Sequence, residues 1–224
     1  MSTMTATRPA AGISRWGALA GVAYVVLFVI GVIMIFGSSP DSSSAPAKIV
    51  DYYSKSSHRT TMNIGWVLGG LGILAFMCFV ITLRQTVRRL EGEDGFLAGL
   101  VMIGGGIYAT LALAALAVNV AIRTMSDDTY HHQVFPALIH AADDAAWILH
   151  ASGGAGAAAM VIAASVAGMR AGAVSRWLGW VGIVAGILSL GLIVFFPWFI
   201  FALWVLGVSI GLFIRSGRTV AATA

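Results

Sequence analysis

Charge is scarce in this sequence: only 10% of its 224 residues are Asp, Glu, Lys or Arg, where a soluble domain carries about 25%. With 59% hydrophobic residues, that scarcity excludes a soluble globular fold, which could not hide so much apolar surface. A single cysteine, Cys78, excludes a disulfide framework and a cysteine-based metal site. No His-Glu-x-x-His or Asp-x-Asp-Asp box is present. Gly104-Gly105-Gly106 lies inside an apolar run, so it permits close helix contact and is no nucleotide loop. The net charge of +4 does not point to nucleic acid, because the basic residues sit in short clusters between apolar runs. What the chain does have is 27 glycines and many alanines, the residues that let membrane helices approach closely.

The apolar runs predict an all-α integral membrane protein, a single membrane domain over 1–224 with six spans near 16–37, 63–83, 96–122, 137–169, 177–195 and 198–214. A helix rises ~1.5 Å per residue and needs ~20 residues to cross a ~30 Å core. The last uncharged stretch, Trp177 to Ile214, is nearly twice that length. Pro197 in Phe195-Phe196-Pro197-Trp198 removes a helix hydrogen bond, so the stretch reads as two short spans joined by a tight turn.

Arg8, Arg15, Arg84, Arg88, Arg89, Arg170, Arg176, Arg215 and Arg218 fall on one side of this map. Lys48, Lys55, Arg59 and Arg123 fall on the other. By the positive-inside rule both termini are expected to be cytoplasmic. The first run is too long for a signal-peptide core and lacks a cleavage site, so it is expected to be a helix of the mature protein. Trp16, Trp177 and Trp180 stand where an interfacial aromatic belt belongs. The similar Ser14-Arg15-Trp16 and Ser175-Arg176-Trp177 do not match as a duplicated three-helix unit would, so no internal repeat is read.

The longest connection, Ser38 to Met62, lies outside. After a polar linker, Ser44 is expected to cap a short surface helix with Pro46 in its first turn. Ile49, Tyr52 and Tyr53 share one side of that helix, which is expected to cover the bundle end or act as a lid. The inner connection Arg84 to Gly95 mixes Arg88 and Arg89 with Glu91, Glu93 and Asp94 and reads as a solvated turn.

All five histidines, His58, His131, His132, His140 and His150, fall on the outer side. The outer end of the fourth span carries His140, Asp143, Asp144, Trp147 and His150 as a polar and aromatic stripe. Asn119 and Arg123, closing the third span, face the same zone. Further in, Ser152-Gly153-Gly154 and Gly156 form a small-residue face for packing. Two adjacent carboxylates need a cation, a shared proton or solvent. Two readings follow: solvated acids, paired with Arg123, that fix helix ends together, or an outward-opening pocket lined by the stripe.

In a pocket, His140, Asp143, Asp144, Trp147, His150, Asn119 and Arg123 are the candidate ligand-binding residues. His140 with Asp143 or Asp144, at three- and four-residue spacing, is a candidate metal pair, with His131 or His132 adding a third ligand from the loop. A bis-histidine haem is disfavoured, because the only histidines within spans belong to the fourth. Asp143 or Asp144 is the candidate acid for a hydrophobic, isoprenoid-like substrate, with His140 or His150 orienting it and Trp147, Trp66 and Tyr108 as aromatic lining.

Ala47-Lys48-Ile49-Val50-Asp51-Tyr52-Tyr53, His58-Arg59 and Arg176-Trp177-Leu178-Gly179-Trp180 resemble an uncharacterised group of bacterial six-helix membrane proteins, the domain-of-unknown-function 4386 type. The resemblance implies a fold and, by likeness alone, a place in the plasma (inner) membrane; it implies no activity. Two functions are therefore carried forward. One is a membrane protein that binds a small amphipathic ligand, lipid or metal ion in an outer vestibule, as a transporter-like or accessory subunit, alone, with a membrane-protein partner or as a homo-oligomer. The other is an intramembrane enzyme using Asp143 or Asp144.

Overall fold

The computed structural model describes residues 15–40, 44–92, 94–124, 134–194 and 196–221, the side chains at 15, 122–124 and 216–221 excepted. The described residues form seven helices and no strand: α1 (Arg15–Phe36), α2 (Pro46–Ser54), α3 (Ser56–Glu91), α4 (Phe96–Thr124), α5 (Pro136–Arg170), α6 (Arg176–Ser189) and α7 (Phe196–Ala221). Five of them, α1, α3, α4, α5 and α7, are long and apolar enough to cross a membrane, and α6 is a shorter apolar helix. This is an all-α membrane bundle.

The long C-terminal apolar stretch does break. Helix α6 ends at Ser189, a turn follows over 190–194, and α7 opens at Phe196. Pro197 therefore stands in the first turn of α7, where a missing N–H costs nothing, and the turn lies before it rather than at it. With 14 residues, α6 is only about 21 Å long.

Each apolar helix packs on the next along the chain, and α7 returns to α1, closing a ring. Large apolar side chains point outward around it, such as Ile33 (61% exposed), Ile103 (63%) and Leu203 (67%). In a membrane bundle, lipid covers them. Small residues set the inner contacts. A Cβ on Gly31 would lie 2.6 Å from the Gly65 carbonyl oxygen, and one on Gly104 would lie 2.5 Å from that of Gly156. Backbones thus touch between α1 and α3 and between α4 and α5, as small residues allow in membrane bundles. Gly153, Gly154 and Gly156 are buried as expected, while Ser152 is exposed.

Both ends are pinned by polar contacts. Helix α3 runs past its apolar core at each side, from Ser56 to Glu91, because no breaker intervenes before Gly92 at φ +82°. The connection to α4 is more than a solvated turn. The Glu91 carboxylate accepts from the Leu97 and Ala98 N–H groups at 2.8 and 3.1 Å, satisfying orphan donors at the start of α4. At the same end, Arg215 donates to the Ala173 carbonyl between α5 and α6, and Ser175 accepts from the Leu178 N–H at 3.4 Å.

At the opposite end lies the short surface helix, with one correction. Ala45, not Ser44, is the N-cap of α2, and no side chain bonds there. Pro46 opens the helix and removes one of the orphan donors that a serine would have met. Ile49 and Tyr53 are buried, as their spacing predicts. Ser38 and Tyr52 hydroxyls meet at 2.6 Å, and His58 stacks on Tyr52 at 3.9 Å between ring centres. Its Nδ1 lies 2.9 Å from the Tyr52 carbonyl oxygen. Buried Arg59 donates to the Tyr53 and Ser54 carbonyls, both at 2.9 Å, placing a cation on the C-terminus of α2.

Candidate functional site

A cavity of about 450 Å³ opens at the end of the bundle that carries α2. Its levels follow the helices. Phe36, Ser39, Pro40, Asn119 and Asp143 line the mouth. Below them stand Val32, Ala115, Leu116, Ala146 and Trp147. Phe28, Ala112, His150, Leu192 and Trp198 form the floor. Helix α5 contributes residues 143, 146, 147 and 150, the spacing of one helical face.

The polar groups at the mouth hold each other. The Asn119 side-chain amide donates to Asp143 Oδ1 at 2.9 Å, tying α4 to α5. Asn119 is only 3% exposed, so this bond answers the cost of burying its amide. Trp147 donates its indole N–H to the Ile193 carbonyl at 3.0 Å and fixes the turn before α7 as a side wall. At the floor, the His150 ring lies nearly parallel to Phe28, 18° apart with centroids at 6.1 Å. It also meets the edge of Tyr108 at 5.8 Å.

The stripe is thus divided. Asn119, Asp143, Trp147 and His150 come together around the cavity. His140 and Asp144 do not line it, and Asp144 is exposed. The reason is angular: the lining arc runs from Ala146 to Trp147, and Asp144 stands ~100° round the helix from Asp143. The two carboxylates therefore do not face one another across a shared site. Among the described residues no group of three or more His, Cys, Asp or Glu side chains is placed to hold a metal ion. His131 and His132 lie outside the described residues, as does the side chain of Arg123 in the last turn of α4. Trp66, 45% exposed, faces away from the cavity.

Sequence reasoning missed Phe28 and Trp198, and Tyr108, expected in the lining, stands instead buried beneath the floor. The Tyr24 and Tyr108 hydroxyls meet at 2.6 Å, fully buried between α1 and α4. Phe76 packs on both rings, with centroids at 4.8 and 5.1 Å. A signal was present: a tyrosine hydroxyl deep in each of two apolar runs must find a partner when no water is near.

Comparison with known proteins gives no match to any family model, curated protein or solved structure.

Proposed function

We propose that this chain is a six-span protein of the plasma membrane, both termini cytoplasmic, that binds a small amphipathic ligand in an outward-facing vestibule. The observation that carries the reading is the cavity itself, about 450 Å³ in volume and mostly apolar, with the Asn119–Asp143 pair at its mouth. That size and that ratio of apolar wall to a few placed polar groups are those of ligand sites. The sixth span in this reading is α6 with the turn over 190–194. The orientation rests on Arg84, Arg88, Arg89, Arg170, Arg176 and Arg215 gathering at the end away from the cavity. The resemblance to the bacterial six-helix group agrees with this topology and adds no activity.

Two measurements test it. In a Cys78→Ser background, a cysteine at Ser44 is expected to react with an impermeant maleimide on intact cells, and one at Thr223 only after lysis. Native mass spectrometry of gently extracted protein is expected to show a bound amphiphile that is lost in Ala115→Trp, which fills the cavity. The vestibule reading fails if wild-type and Ala115→Trp carry the same adducts while both remain folded.

A further inference from the structure

The geometry points to an uncharged, flat-ringed ligand that enters head-first and places a hydroxyl or carbonyl oxygen on the His150 imidazole at the cavity floor. This rests on the vestibule reading above and adds the ligand's class to it. Polarity along the α5 wall comes at two levels. Asp143 stands at the mouth and His150 seven residues deeper, about 10 Å along the helix axis. Between them the walls are Val32, Ala115, Leu116 and Ala146, with the face of Trp147.

Of the polar side chains that α4 and α5 turn to the cavity, His150 is the one without a hydrogen bond among the described residues. Asn119, Asp143 and Trp147 all make hydrogen bonds, whereas the His150 ring meets only aromatic rings among the described residues. A ring N–H and a ring acceptor in such surroundings lack the bonds that buried polar groups normally make. An oxygen on a ligand supplies one.

Charge on that ligand is disfavoured at this depth. No Lys or Arg is among the described residues that line the floor, so an anion gains no partner at the depth of His150. A cation satisfied at Asp143 would stay at the mouth, since carrying it deeper strips its water against apolar walls. The ring preference comes from shape. Phe28 and Trp147 lie within 18° and 29° of the His150 plane, offering flat faces on which another ring stacks with offset.

A matched probe series tests this: 2-naphthol, 2-methylnaphthalene, 2-naphthoate and 2-naphthylmethylammonium, measured by equilibrium dialysis against the full chain in nanodiscs, with empty nanodiscs subtracted. Expected is at least roughly tenfold tighter binding of 2-naphthol than of the other three, the gain of about one buried hydrogen bond. His150→Leu should abolish the preference over 2-methylnaphthalene, and His150→Gln should retain most of it. Ala115→Trp should remove binding of all four. If 2-naphthoate, the ammonium or 2-methylnaphthalene binds as well as 2-naphthol, or if His150→Leu keeps the preference, the inference is overturned and the vestibule stands. If no probe exceeds empty nanodiscs, this inference is overturned, and the vestibule reading is decided separately by the adducts of wild type and Ala115→Trp.

Discussion

Tyr24 on α1 and Tyr108 on α4 share a hydrogen bond of 2.6 Å at the centre of the ring, where neither side chain reaches solvent or lipid. The pair joins two helices that are not neighbours in the ring and supports the cavity floor through Tyr108 and His150. Removing one hydroxyl leaves the other buried with its bond broken, which costs about 1–3 kcal/mol. Tyr24→Phe and Tyr108→Phe should each lower stability by that amount in detergent unfolding. The double variant should lose clearly less than the two losses added together. Additive losses would show that the hydroxyls do not depend on one another.

Much of the fold was legible because it is written locally. Run length marks the long apolar helices, and the C-terminal stretch breaks near Pro197, although the proline itself stands in the first turn of α7. The site was legible only in part. The polar stripe on α5 marks the helix and the end at which the cavity opens. Its facing is fixed by rotation of α5 against α4, and that rotation is set by the contact of Gly104 with Gly156, two residues far apart in the chain. An error of less than one third of a turn puts Asp144 and His140 in the cavity in place of Ala146. Phe28 and Trp198 were not legible, since an aromatic residue in an apolar run reads the same whether it faces lipid or a cavity.

The Gly104–Gly156 contact makes its own prediction. The nearest atoms to a Cβ on Gly104 are backbone, the Gly156 oxygen at 2.5 Å and the Met160 nitrogen at 2.9 Å, so no rotamer change relieves the clash. Gly104→Ala should separate α4 from α5 and destabilise the protein by about 1–3 kcal/mol, as overpacking does. Gly106, two residues on, has nothing within 4 Å of its Cβ position. Gly106→Ala should be neutral or stabilising by up to about 1 kcal/mol through helix propensity. Thermal unfolding of the two variants side by side decides it, and equal behaviour would refute the close backbone contact.

Arg59 governs the surface helix. The residue is 6% exposed, and its guanidinium bonds the last carbonyls of α2. Hydrogen bonds to a charged group contribute about 1.5–3 kcal/mol each. Arg59→Ala should therefore speed deuterium uptake of residues 46–54 by roughly ten- to a hundred-fold through local opening. Uptake in α4 and α7 should stay as in the wild type. Arg59→Lys, with a point charge in place of the planar fork, should fall between. Uniform acceleration across all helices would mean that Arg59 supports the whole bundle and not α2.

Asp143 separates the binding reading from the catalytic and metal readings. In the structure its carboxylate serves as an acceptor for the Asn119 amide, and an asparagine oxygen at the same place accepts equally well. Asp143→Asn should keep stability within about 1 kcal/mol of the wild type and retain any co-purifying ligand, because the tie between α4 and α5 persists. Asp143→Leu removes the acceptor, leaves the buried Asn119 amide without this bond, and should cost about 1–3 kcal/mol with loss of ligand. A carboxylate acting as acid or as metal ligand depends on its ionisable oxygen, so there Asp143→Asn would be as damaging as Asp143→Leu. Native mass spectrometry and unfolding of the two variants distinguish the cases. Equal loss of ligand in both, with the fold intact in Asp143→Asn, would make the charge of Asp143 essential and return the catalytic or metal reading to first place.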